Sequence, residues 1–414
     1  MEYPEGYSAA ADVNVKLTNT ISGAISEKTT DATGIAAFEI TAGTYEVVAS
    51  ETRTDEYFTY NINGLKSNLI VTSQWTGDIV PLPLTVTTVP ALVEGDPTPK
   101  GRVIIKELYN GGCQKDDAGT FSNDKYAILY NNSNQAASLE NLCFATTFPS
   151  NSQATNNFFV NGELTYEAEG WLPAAFSIWT FQGNVTLEAG KQIVIAFENA
   201  VNNTITYSNS INFAHAEYYC AYDIAVLNNA NYYPSPSEVI PTSHYLKAYK
   251  FANVTANAWT LSTTSPALII FKPEGITPAE LAADADRTVL HGTSASQAAK
   301  KVPIEWVVDG IEVYTKGNAS NKKRLTPTID VGYVELTNAQ GYTLYRNVDK
   351  AATEAIAANT GKLVYNYNFG TDGSTDPSGI DAEASIKAGA RIIYKDTNNS
   401  SNDFHQRSRA SLRN

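Results

Sequence analysis

Residues 103–131 read VIIKELYNGGCQKDDAGTFSNDKYAILYN. Two runs rich in Val, Ile, Leu and Tyr, Val103 to Tyr109 and Tyr126 to Tyr130, enclose a polar stretch that opens at Gly111–Gly112, and the turn residues Asn131, Asn132 and Ser133 follow. Composition and punctuation of this kind predict two strands. Working outward, further strands are predicted at 192–197 (QIVIAF), 268–271 (LIIF), 304–313 (IEWVVDGIEV), 342–346 (YTLYR) and 391–395 (RIIYK). Spacing this wide means an all-β sandwich with long insertions, because a meander would bring its strands back every ten residues or so.

Upstream, residues 12–18 (DVNVKLT) alternate strictly and put Val13, Val15 and Leu17 on one face of a half-buried strand. Residues 29–50 (TTDATGIAAFEITAGTYEVVAS) then predict a turn from Asp31 to Gly34, a strand with Phe38 and Ile40 on one face, a turn at Gly43 and a strand carrying Tyr45, Val47 and Ala49. Five prolines, Pro81, Pro83, Pro90, Pro97 and Pro99, stiffen the stretch that follows and cannot serve inside a central strand. The expected organisation is therefore a module over 1–90, a Pro-rich linker over 91–100 and a larger domain over 101–414.

Composition narrows the function classes. The 43 acids against 29 bases leave a net charge of −14, which works against sequence-independent binding to nucleic acid or anionic lipid. Charged residues are only 17% of the chain, and Asn, Thr, Ser and Tyr take their place, as in extracellular β-domains. No apolar run reaches the length of a membrane-spanning helix. Met1, the only methionine, precedes Glu2 and a strand-like segment, so it is read as an initiator added where a leader was removed from an exported protein. Cys113, Cys143 and Cys220 form no CxxC and lie near no histidine at metal-ligand spacing; buried free thiols are favoured over a Cys113–Cys143 disulfide.

The motifs of common catalytic machinery, GxSxG, GxGxxG, Walker A and HExxH, are missing. His215, His244, His291 and His405 stand singly. Two acidic turns carry oxygen donors of the type calcium takes: Asp372, Asp376 and Asp381 in the first, and Asp396, Asn398, Ser400 and Asp403 in the second. Asx-turns are the simpler reading of both, and calcium, taken by Asp396, Asn398 and Asp403, is the one cofactor the sequence suggests. Tyrosines crowd 207–249; Tyr218, Tyr219, Tyr232 and Tyr233 are the candidate ligand-binding residues, with core packing as the alternative. Pro234 and Pro236 predict that Tyr232 and Tyr233 ride on a stiff projecting loop. Lys322, Lys323 and Arg324 and the tail RSRASLR read as solvated basic loops rather than a nucleic-acid surface. Thr277-Pro278-Ala279-Glu280 forms a capping box that starts a helix, and a second helix is predicted between Asp349 and Gly361.

The pattern TDATGxAxFxIxAGxYEVxAS, within residues 6–88, resembles the seven-stranded transthyretin-like sandwich of carboxypeptidase-regulatory modules. In 101–414, the IxExxY element of Ile105, Glu107 and Tyr109, the YxxLYN element of Tyr126, Leu129, Tyr130 and Asn131, and then Leu139 and Leu142 resemble the opening of a lamin-tail-like domain. Together with LEAGKQIVIAF, VPIEWVVDGIEVY, GYTLYRN and DTNNSSNDF, they are similar to a Bacteroidetes family of surface proteins, a domain of unknown function on a lamin-tail-like immunoglobulin sandwich. That resemblance implies an outer-membrane lipoprotein at the cell surface, anchored through a lipid absent from this chain. Its implied role is non-catalytic: binding a glycan or small-molecule ligand, or docking a TonB-dependent outer-membrane receptor. An adhesin-like spacer and a glycan hydrolase are the rival readings.

Overall fold

The computed structural model describes residues 11–41, 43–54, 59–71, 103–149 and 155–413. The chain divides into two compact units, Met1–Pro99 and Lys100–Asn414. The expected linker at 91–100 lies outside the described residues.

The first unit carries one antiparallel sheet in the order Ile25–Thr29, Asn14–Asn19, Gly43–Thr54, Thr59–Val71. Val15 faces Ala49 and Leu17 faces Val47 across the central pair, so the alternation read from the sequence becomes one apolar face on which Val13, Leu17, Tyr45 and Ala49 are buried. Asp31 closes the expected turn by accepting the amides of Thr33 and Ile35. Two expectations differ. Phe38 and Ile40 remain half-buried, with the exposed Glu39 between them, but pair with no strand among the described residues, and Gly43 opens a strand instead of turning because the hairpin extends until it pairs with Val71. The described residues of this unit hold one four-stranded sheet; the remaining strands that the transthyretin resemblance implies would fall outside them.

The second unit is built on two six-stranded sheets. The front sheet runs Lys247–Lys250, Ser177–Thr180, Cys143–Thr146, Ala267–Phe271, Val307–Thr315, Val334–Leu336, and the back sheet Tyr219–Cys220, Gln192–Ala196, Tyr126–Asn131, Val103–Tyr109, Thr343–Arg346, Phe404–Arg407. Their facing sides interdigitate: Ile105, Leu129, Ile195 and Leu344 from the back meet Phe144, Trp179, Leu268, Ile270 and Ile311 from the front. The outer sides are covered as well. Ile178, Ile269 and Phe271 pack against Leu172 and Val302 of a small third sheet, while Tyr109, Tyr126 and Ile128 lie under residues 200–240 and Tyr130 and Tyr345 under residues 380–394. Central strands buried on both faces need no polar alternation, which is why the sequence shows them as continuous apolar runs.

A β-bulge between Ile105 and Glu107 shifts the register against the Tyr126–Asn131 strand. The inserted Lys106 breaks the alternation, so Lys106 and Glu107 both lodge on the outer side among tyrosines: the Lys106 ammonium over the Tyr345 and Tyr394 rings, and the Glu107 carboxylate at the Tyr126 hydroxyl. The helix Pro278–Ala283 begins at Thr277 with both halves of the expected capping box. Asp349 caps Lys350–Ala355 as expected, but that helix stops well before Gly361, because the Asn359 side chain donates to the Thr353 carbonyl at 2.9 Å and ends it.

Residues 391–395 are not the strand expected. Their backbone groups are met mainly by side chains: Arg391 N by Asn359 Oδ1, Ile392 O by the Tyr130 hydroxyl, Ile393 N by Thr353 Oγ1 and Tyr394 N by Asn132 Oδ1. With those groups satisfied, no ladder is required.

Candidate functional site

The tyrosine-rich segment 207–249 wraps the edge of the back sheet. Its strand Tyr219–Cys220 runs parallel to Ile195–Ala196, and strand alternation sends Tyr219 toward the inter-sheet core and Tyr218 with Cys220 toward the outer cluster. The Tyr219 ring meets Phe181 edge-on at 5.3 Å and stacks on His244 at 4.1 Å, while Tyr218 stacks on His215 at 4.6 Å. Both tyrosines stay partly accessible. Burial, with the charges of Glu107 and Glu383, pushes the Tyr218 phenol up.

Tyr232 and Tyr233 are placed differently from the projecting loop expected. The Asn229 carbonyl accepts both of their amides, the Tyr232 carbonyl accepts from Asn199 N, and Pro236 is buried. Tyr233 is 4% exposed and belongs to the core; Tyr232 is half-buried against the same cluster. The accessible apolar surface of this part of the chain lies elsewhere, at Ile205 (82% exposed), Ile224 (53%) and Val239 (52%).

Residues 188–368 match DUF4876, a family described as protein of unknown function. The DUF4876 match takes in the strand Gln192–Ala196 and the whole tyrosine segment, and ends before Phe404–Arg407. A crystal structure of a DUF4876 family protein from Bacteroides thetaiotaomicron VPI-5482 is similar over 97% of this chain and 92% of that one, with 20% identity and a TM-score of 0.55. Likeness at that identity concerns the fold. No curated protein matches the chain.

The acidic turn at 396–403 spends its donors within the protein. Asp396 Oδ1 accepts from Arg346 Nη1 at 3.2 Å, Asp403 takes the amides of Thr397 and Asn399 and the Thr397 hydroxyl, and the Asn398 amide reaches away to the Thr328 carbonyl. Arg346 also pairs with Asp309, so a guanidinium stands where calcium was expected. In the other turn Asp376 accepts Val348 N and Ser378 N, and Asp381 caps the helix Ala382–Lys387. No group of three or more His, Cys, Asp or Glu side chains among the described residues is arranged to hold a metal ion. The three cysteines are free and buried.

The Lys-Lys-Arg run is not a solvated loop. Arg324 is buried and pairs with Glu312 at 2.8 Å, and Lys323 joins the same carboxylate at 3.3 Å. In the tail, Arg407 is buried against aromatic rings while Arg409 is exposed. Sequence reasoning missed the outer-face cluster entirely: Glu383 accepts from Lys106 at 2.6 Å and from Tyr345 at 2.7 Å, across 277 and 38 residues of chain. Glu107 stands in the IxExxY element and Tyr345 in GYTLYRN, but neither motif points to Glu383.

Proposed function

We propose that this chain is a non-catalytic protein of the bacterial cell surface, exported, held at the outer membrane by a lipid anchor, and docking a TonB-dependent receptor through the 207–249 edge. On this reading, 101–414 is a lamin-tail-like immunoglobulin sandwich, and 1–90 is a transthyretin-like module. The observation that carries the proposal is the sheet edge at Tyr219–Cys220, where Tyr218 and Tyr219 lie partly open in ring stacks and the same part of the chain exposes Ile205, Ile224 and Val239. Partly exposed aromatics and exposed apolar side chains in one stretch of chain suit a protein interface, where tyrosine supplies contact area at low entropy cost. They fit this role better than that of a spacer, whose surface needs no such residues.

The hydrolase reading finds less support. Asp381 and Glu383 come near each other, but Asp381 is a helix cap and Glu383, against its burial, is held below the usual carboxylate range by Lys106 and Tyr345. A general acid needs a raised value.

Surface plasmon resonance between the chain and TonB-dependent receptors of its host tests the docking proposal. Ile224→Asp with Val239→Asp, both on exposed positions, should weaken binding at least about tenfold. Binding unaffected by both changes would remove the edge from the interface.

A further inference from the structure

On the outer face of the back sheet, beyond the tyrosine edge, a cleft of about 430 Å³ opens between the helix Ala382–Lys387 and the strand Phe404–Arg407. Its walls are Phe369, Asp381, Glu383, Ala384, Ile386, Lys387 and Arg407. That volume lies in the range of small-molecule sites. None of the lining residues comes from 207–249.

Arg407 is 2% exposed, and its guanidinium lies over the Tyr345 ring at 4.9 Å and the Phe369 ring at 4.7 Å. Among the described residues its side chain makes no hydrogen bond and no ion pair, and its Nε is a buried donor without a partner. This sets it apart from the other deeply buried arginines: Arg324 and Arg346 each meet a carboxylate and several carbonyls. A guanidinium carries five donors and keeps its charge, so stacking on two rings leaves its hydrogen-bonding capacity unused. The nearby carboxylates do not supply it. Glu107 is committed to Tyr126 and Ser411, and Glu383 to Lys106 and Tyr345.

We propose that this cleft binds a small monocarboxylate bearing hydroxyl or ammonium groups, with the ligand's carboxylate in the fork of Arg407 and its donors on the free oxygens of Asp381 and Glu383. Bidentate geometry matches a carboxylate to a guanidinium. Among the described residues Asp381 Oδ2 and Glu383 Oε2 accept no hydrogen bond: Ala384 N, Lys106 and Tyr345 all go to the other oxygen of each pair. They call for a ligand with donors of its own and disfavour a doubly charged phosphate. Lys387 stands exposed at the mouth, where it adds a second positive charge. Phe369 gives the ligand one apolar wall. Sugar acids and amino acids both carry this chemistry.

Isothermal titration of the full chain with D-galacturonate, L-glutamate, D-galactose and inorganic phosphate separates the sources. Saturable binding of one acid, with galactose silent and phosphate weaker, is the expected result. Arg407→Lys keeps the charge but loses the fork and should weaken binding about tenfold. Should that variant not fold, Lys387→Ala, at an exposed position, is expected to weaken the same acid severalfold. Failure of both acids to bind the folded wild type at millimolar concentration, phosphate binding more tightly than either acid, or an affinity unchanged in Arg407→Lys would overturn the proposal.

Discussion

The Tyr233 hydroxyl donates to the Trp259 carbonyl at 2.6 Å and accepts from the Trp259 amide at 3.0 Å. One phenol thus satisfies both backbone groups of a buried residue in a segment without a ladder, while its ring meets Trp179 edge-on at 6.1 Å. Tyr233→Phe keeps the packing and strands both groups, so it should cost about 1–3 kcal/mol. Tyr233→Ala also opens a cavity and should cost about 3–5 kcal/mol. Urea unfolding measures both. A midpoint unchanged in Tyr233→Phe would mean that solvent reaches Trp259.

Arg346 ties Asp309 of the front sheet to Asp396 and Asp403 of the closing turn. Removing one partner leaves buried charge uncompensated, so Arg346→Met should destabilise by about 3–5 kcal/mol in chemical denaturation. With the guanidinium in place, millimolar calcium should leave the wild-type thermal midpoint unchanged. A rise of several degrees would show that the turn binds the ion.

Asp124 lies buried and, among the described residues, forms no ion pair, and burial pushes its carboxyl up to about 6 against the hydrogen bonds from Ser210 and Tyr109. An acid whose folded value exceeds the unfolded one favours the folded state most below the unfolded value near 3.8, and that contribution is lost as pH rises through about 6. His405, held down to about 3 mainly by burial and secondarily by Arg407, acts in the opposite sense over part of this range. The difference between Asp124→Asn and the wild type isolates the Asp124 contribution. The variant should gain about 2 kcal/mol on the wild type between pH 4 and pH 7. Parallel stability curves for the two proteins would contradict the assignment.

Thr277 accepts the Glu280 amide at 3.2 Å, and Glu280 returns the bond to Thr277 N at 2.7 Å. Thr277→Ala should therefore cost about 1 kcal/mol. A denaturation midpoint equal to that of the wild type would mean that water caps the helix equally well.

What could be read from the sequence follows the range of the interactions. Val103–Tyr109, Gln192–Ala196 and the capping box at Thr277 were legible because apolar composition, turn punctuation and caps are local signals. The segment at 391–395 has strand composition, yet its partners are Asn132, Thr353 and Asn359, whose roles depend on the finished fold. The same limit hid the site residues. Tyr218 and Tyr233 are both tyrosines in one polar stretch, and only the register of Tyr219–Cys220 and the position of Trp259 make one partly open and the other core. Arg324 looked like part of a basic loop because Glu312, twelve residues earlier, is aimed at it only by the Val307–Thr315 strand.

The docking claim is tested most directly by photocrosslinking in cells of the native host, with a photoreactive amino acid placed in turn at positions 219, 224 and 290. Tyr219 and Ile224 lie at the proposed edge, whereas Leu290, also exposed, sits on the small third sheet. Adducts to a TonB-dependent receptor are expected from 219 and 224 and none from 290. Adducts to that receptor from 290 alone, or none from 219 and 224 while the chain is present at the cell surface, would contradict it.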